Sequence, residues 1–148
     1  MNVGIVGGHR CSRNIAAIAE ELGYLIARQG WVLICGGGGG VMEAACRGVR
    51  EAGGLSIGIL PSSHGQEANA YLDIKIPTGL GYARNFLVVR ASHVIIAVDG
   101  EYGTLSEIAF ALCEGKRVLG IKTWKIKGVK EVKDPSLAIK EIKRMRIK

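Results

Sequence analysis

The chain predicts an α/β fold, an open, doubly wound, mostly parallel sheet with helices on both faces. Three observations carry this. Short apolar runs alternate with segments of helical period along all but the end of the 148 residues. The runs are apolar at consecutive positions, as in strands covered on both faces. Glycine turns repeatedly join run to helix. No repeat or internal boundary interrupts the pattern, so residues 1–148 read as one domain with a basic extension at 123–148.

The elements follow in order. NVGIVGG (2–8) is a strand, and 12–29 a helix with Ile15, Ile18, Ala19, Leu22 and Leu25 on one face. WVLICGG (31–37) is the second strand and 40–52 the second helix. SIGILP (56–61) is the third strand; a polar loop, 62–70, leads to the fourth, LDIKIP (72–77). A helix over 81–92, a strand HVIIAV (93–98), a helix over 104–115 and a strand RVLGIK (117–122) complete the alternation. Asp134 as N-cap and Pro135 at the first helical position open a last helix, about 135–146, with Leu137, Ile139 and Ile142 inward.

Composition narrows the class. Hydrophobic residues make up 48% of the chain, which places it among globular proteins. No apolar run approaches the roughly 20 residues that cross a bilayer, and the N-terminus starts directly in a strand pattern rather than a secretory signal. Cys11, Cys35, Cys46 and Cys113 have no metal-ligand spacing and read as reduced thiols of a cytoplasmic protein. The net charge of +7 is uneven: residues 1–122 hold 11 Lys/Arg against 10 Asp/Glu, and residues 123–148 hold 9 against 3. A basic tail attracts nucleic acid, but it lacks the aromatic residues that stack bases, so a solvated surface element is the preferred reading.

Four turns reach the carboxyl edge of the predicted sheet carrying glycine: VGGHRCS (6–12), CGGGGGVM (35–42), TGLGYARN (78–85) and DGEYGTLSE (99–107). Ligands of such sheets bind beyond that edge. A strand–glycine–helix junction offers bare backbone N–H groups and the positive end of a helix dipole, which suits a phosphate. The candidate contacts are Gly7, Gly8 and Ser12, then Gly36, Gly37, Gly38, Gly39 and Gly40, then Arg84 and Asn85, then Gly100, Tyr102, Gly103 and Thr104. The five consecutive glycines are expected to lie against the phosphate or its sugar. The patterns GxxxxGK[ST] and GxGxxG are both missing from the first turn and the glycine run, which disfavours an NTPase and NAD. A mononucleotide or another small phosphorylated compound fits better. Ser12 has a second role as a helix cap, and Thr104 with Glu107 has the spacing of a capping box. Asn69, at the end of the polar loop, is left open.

Together, ICGGGGGVMEAACRGVREAGG, TGLGYARN and DGEYGTLSEIAFAL resemble the LOG-like (SLOG) superfamily over roughly residues 2–122. That group includes the LONELY GUY phosphoribohydrolases, the molybdenum cofactor carrier proteins and chains labelled possible lysine decarboxylase. The likeness is closest to the short carrier-like branch, and nothing in the chain resembles a lysine decarboxylase site. It implies a Rossmann-like fold, a homo-oligomer (a dimer or a tetramer), and a bound nucleotide monophosphate or molybdopterin-type ligand with no required cofactor. It also implies that Arg84 binds the phosphorylated molecule and, in an enzyme that cleaves nucleoside 5′-monophosphates, that Glu107 is the catalytic carboxylate. The hydrolase motif PGGxGTxxE falls on Asp99–Glu107, with Asp99 at the proline and Glu101 at the second glycine; Asn85 replaces a lysine. These departures favour binding over hydrolysis.

Overall fold

The computed structural model describes residues 1–145 and contains one seven-stranded sheet. The strands are β1 (Asn2–Gly7), β2 (Val32–Cys35), β3 (Leu55–Leu60), β4 (Ile74–Pro77), β5 (Val94–Val98), β6 (Arg117–Ile121) and β7 (Val129–Glu131). The helices are α1 (Arg13–Arg28), α2 (Val41–Glu51), α3 (Arg84–Ala91), α4 (Tyr102–Cys113) and α5 (Pro135–Arg144), with a 3-10 turn over Gly81–Ala83. The strand order is β4-β3-β2-β1-β5-β6-β7, and each pair is parallel. The predicted doubly wound Rossmann-like fold is therefore the observed one.

Helices cover both faces. Leu22, Ile26, Cys46, Val49, Ile139 and Ile142, from α1, α2 and α5, pack with Leu33 and Ile96 on one face. Val88, Val89, Ile108 and Ala111, from α3 and α4, pack with Ile95 and Val118 on the other. Alternate residues of β5 thus enter opposite cores, which explains its unbroken apolar run. The helix starts follow local chemistry. Ser12 Oγ accepts from Ile15 N–H at 3.2 Å, and Asp134 Oδ1 accepts from Leu137 N–H at 2.9 Å ahead of Pro135.

Several expectations change. The fourth strand is shorter, and it is an open edge rather than a doubly covered strand, with Ile74 42% and Ile76 44% exposed. The segment joining β3 to β4 contains no helix, so no crossover helix covers that edge among the described residues. Strand β7 was not expected; it adds VKE to the other edge from within the charged tail. Helix α4 starts at Tyr102, so Thr104 lies inside it and the capping box does not form; Glu101 is the N-cap, without a side-chain cap bond. In the last helix Ile139 and Ile142 are buried, but Leu137 is 38% exposed. The expected end of that helix, Arg146, lies outside the described residues. Among the described residues no helix is long and apolar enough to cross a membrane.

Candidate functional site

The strand order reverses direction between β1 and β5, and in open parallel sheets that reversal opens a crevice at the carboxyl ends. A cleft of about 590 Å³ occurs there. The turn after β1 contributes Gly7, Gly8, His9 and Arg10, and α2 contributes Met42. The 3-10 turn and α3 supply Tyr82, Arg84 and Asn85. The entry and first turns of α4 supply Glu101, Tyr102, Gly103, Thr104, Ser106 and Glu107.

The floor is polar and buried. Arg84 opens α3 and is only 6% exposed. Its Nε has no hydrogen-bond partner, and among the described residues it forms no salt bridge. Beside it, Asn85 donates from Nδ2 to Ser106 Oγ at 3.2 Å, while its Oδ1 is unpartnered. Glu107, one turn into α4, is also buried. Burial pushes its carboxyl up to about 8, although the Arg84 charge pulls the other way. At pH 7 it therefore keeps its proton and can donate a hydrogen bond. Buried polar atoms without partners are costly, so this floor is organised for an incoming acceptor and donor set.

The five glycines stand behind this floor. A Cβ on Gly36 would come 2.7 Å from Arg84 Nη2 and 2.9 Å from Met42 Sδ. A Cβ on Gly38 would meet the His9 ring at 2.6 Å, and one on Gly40 the Gly8 carbonyl at 2.3 Å. Gly37 and Gly39 also face protein: Leu60 and Leu72 for the first, the His9 carbonyl for the second. Asn69 pins the run, donating from Nδ2 to Gly38 O at 2.9 Å and from its backbone to Gly37 O. Packing that seats Arg84 and His9 thus accounts for the glycines at 36, 38 and 40, and Gly36–Gly40 are not among the residues that line the cleft. Ser12 is engaged as the cap of α1, and Gly100 lies under Thr104, whose Oγ1 a Cβ would meet at 2.2 Å. Gly7, Gly8, Arg84, Asn85, Tyr102, Gly103, Thr104 and Glu107 do line the cleft.

His9, Arg10, Met42, Tyr82 and Ser106 were not anticipated as lining residues. A signal existed, since all five lie in the glycine turns VGGHRCS, CGGGGGVM, TGLGYARN and DGEYGTLSE. Asp99 has a left-handed backbone, φ 49°, and donates from its N–H to Ile121 O at 3.1 Å. A proline could do neither, so the chain enters α4 by a path that the hydrolase motif's proline would forbid. The tail meets the site as well: Thr123 Oγ1 donates to Asp99 O at 2.6 Å, and Trp124 Nε1 to Glu101 O at 3.1 Å.

Fold and cleft together define a Rossmann-like α/β domain with a ligand crevice at its switch point. The chain belongs to the SLOG cluster4 family, whose model matches residues 1–146. The solved molybdenum cofactor binding protein of Rippkaea orientalis is similar at 38% identity, with a TM-score of 0.88, over 96% of this chain and 93% of that one. The molybdenum cofactor carrier protein of Chlamydomonas reinhardtii is similar at 35% identity, also with a TM-score of 0.88, over 99% and 98% of the two chains. A cytokinin riboside 5′-monophosphate phosphoribohydrolase of Mycobacterium tuberculosis is 32% identical over 101 residues. The chain spans 54% of that enzyme's length.

Proposed function

We propose that this chain is a carrier-type binding protein for a small phosphorylated ligand bearing a nucleotide or pterin-like ring. The observation that carries the reading is Arg84, a buried guanidinium with an unpartnered Nε at the floor of the cleft. A guanidinium fork matches a phosphate, and the first turn of α4 adds a helix N-terminus beside it. A neutral Glu107 supports the same reading, because it removes the repulsion that a carboxylate would exert on a phosphate. The similarity to two proteins named for the molybdenum cofactor agrees with it. The deciding experiment is native mass spectrometry of the purified protein, with a bound phosphorylated compound expected. In a thermal shift assay AMP or GMP should raise the melting temperature, since a ligand held only by the folded state stabilises it. Arg84→Ala should abolish most of that rise; an unchanged rise would remove Arg84 from the site.

A second reading, a nucleoside 5′-monophosphate phosphoribohydrolase, is favoured by one observation, the buried Glu107 in the same cleft as Arg84. Cleavage of an N-glycosidic bond passes through a cationic, oxocarbenium-like state that an ionised carboxylate stabilises. A Glu107 that keeps its proton at pH 7 does not supply that charge, and Glu101 adds a side chain to the cleft wall. Incubation with AMP should therefore release little adenine. Brisk release that Glu107→Gln stops would establish the enzyme instead.

A further inference from the structure

The mouth of the cleft differs in chemistry from its floor. Tyr82 and Tyr102 both line it, and they are 87% and 81% exposed. Two aromatic rings left this open at one mouth offer a large apolar area for the little ordering that two side-chain torsions require. The Tyr102 ring stacks on Trp124, with centroids 6.2 Å apart and planes 28° apart. Trp124 is itself fixed through Nε1 to Glu101 O at 3.1 Å. Tyr82 sits in the 3-10 turn that opens with left-handed Gly81, whose N–H is tied to Pro61 O at 3.0 Å. Each rim tyrosine also lies next to a floor group in sequence: Tyr82 two residues before Arg84, Tyr102 directly before Gly103.

We infer that Tyr82 and Tyr102 form a stacking rim that grips the planar heteroaromatic ring of the ligand, with its phosphate directed inward to Arg84. This rests on the proposed phosphate site and adds a polarity to it, anion at the floor and ring at the mouth. It also assigns the rim as the element that selects ring-bearing phosphates over simple sugar phosphates. The Trp124 stack makes the start of the basic tail part of that selection, since it lies against the Tyr102 ring. A stack of this kind tolerates different rings, because every planar heterocycle presents a π face.

Isothermal titration of AMP and of ribose 5-phosphate tests the inference, since the two share a phosphate and differ in the ring. The parent should bind AMP about tenfold more tightly, the scale of one base-on-ring stack. Tyr102→Ala should lose most of that advantage, weakening AMP far more than ribose 5-phosphate. Tyr102→Phe should retain it, because the ring rather than the hydroxyl makes the contact. Tyr82→Ala should behave as Tyr102→Ala does. Both tyrosines are exposed, so unfolding is not the expected consequence, and the ribose 5-phosphate titration reports on the intact floor in the same variants. Equal losses for both ligands, or no loss for AMP, would overturn the rim while leaving the phosphate reading standing. A changed mass in light scattering with unchanged AMP affinity would instead make the rim a contact between copies, and would overturn it equally. If neither compound binds the parent, the phosphate site fails and the rim with it.

Discussion

Glu107 is the residue whose environment most alters its chemistry. The unfolded chain releases its proton near 4.5, whereas the folded chain keeps it to about 8. Between those values the folded state binds the extra proton, so the contribution of Glu107 to stability is complete below about pH 4.5 and is lost as pH rises towards about 8. Two outcomes follow. Urea unfolding of Glu107→Gln at pH 5, 7 and 9 should show a shallower fall with pH than the parent and greater stability at pH 9, by about 1 kcal/mol or more. Affinity for AMP should decline in the parent above pH 8, as Glu107 ionises near the phosphate, and the variant should not show this decline. A parent whose stability is flat from pH 5 to 9 would mean that water reaches the carboxyl. The Cys35 thiol, which also feels the Glu107 charge, is held well above its usual range by its contact with Cys46 and by burial.

At the scale of elements, glycines do two kinds of work that composition does not separate. Gly23 and Gly48 let α1 and α2 touch backbone to backbone. A Cβ on Gly48 would fall 1.9 Å from Glu20 O, and one on Gly23 would fall 2.0 Å from Ala45 O. Alanine normally improves a helix interior by about 1 kcal/mol over glycine. Here Gly48→Ala should reverse the sign and destabilise by about 2 kcal/mol, the scale of overpacking a rigid contact, as read by chemical denaturation. Gly36→Ala should behave differently. Its Cβ meets the end of the Arg84 side chain, which can move. Stability should change little, while AMP affinity falls as the guanidinium is displaced. A Gly36→Ala variant with full AMP affinity would show that Arg84 has room to spare.

The whole molecule carries its charge apart from its site. The body is near neutral and the tail holds most of the +7, and the start of the tail is tied through Thr123 and Trp124 to the backbone of Asp99 and Glu101 at the entry to α4. On the face covered by α3 and α4, Leu87 and Phe110 remain 38% and 36% exposed, with Phe86 edge-on to Phe110. We propose that this face pairs copies of the chain, since apolar surface of this kind is characteristic of subunit contacts. Light scattering at micromolar concentration should give a dimer or a tetramer; a 15.7 kDa species alone would exclude it.

The sequence by itself determined the fold class, the order of six strands and five helices, and the sheet edge at which the glycine turns gather. Those follow from hydrophobic period and glycine turns, which are local and survive in one dimension. It also singled out Arg84, Asn85, Thr104 and Glu107, because their motifs sit at strand–helix junctions. Tertiary structure alone decided what surrounds them. Glycine reports only that space is short, not what fills it: that Arg84 and Met42 lie against Gly36 and His9 against Gly38 is visible only in three dimensions. The T-x-x-E spacing reads as a cap until α4 starts two residues earlier, because Asp99 takes a left-handed turn fastened to Ile121 on the neighbouring strand. Strand β7 has too short and too charged a pattern to signal itself and exists because β6 offers it an edge. The proton on Glu107 is likewise a property of burial, which no spacing along the chain encodes.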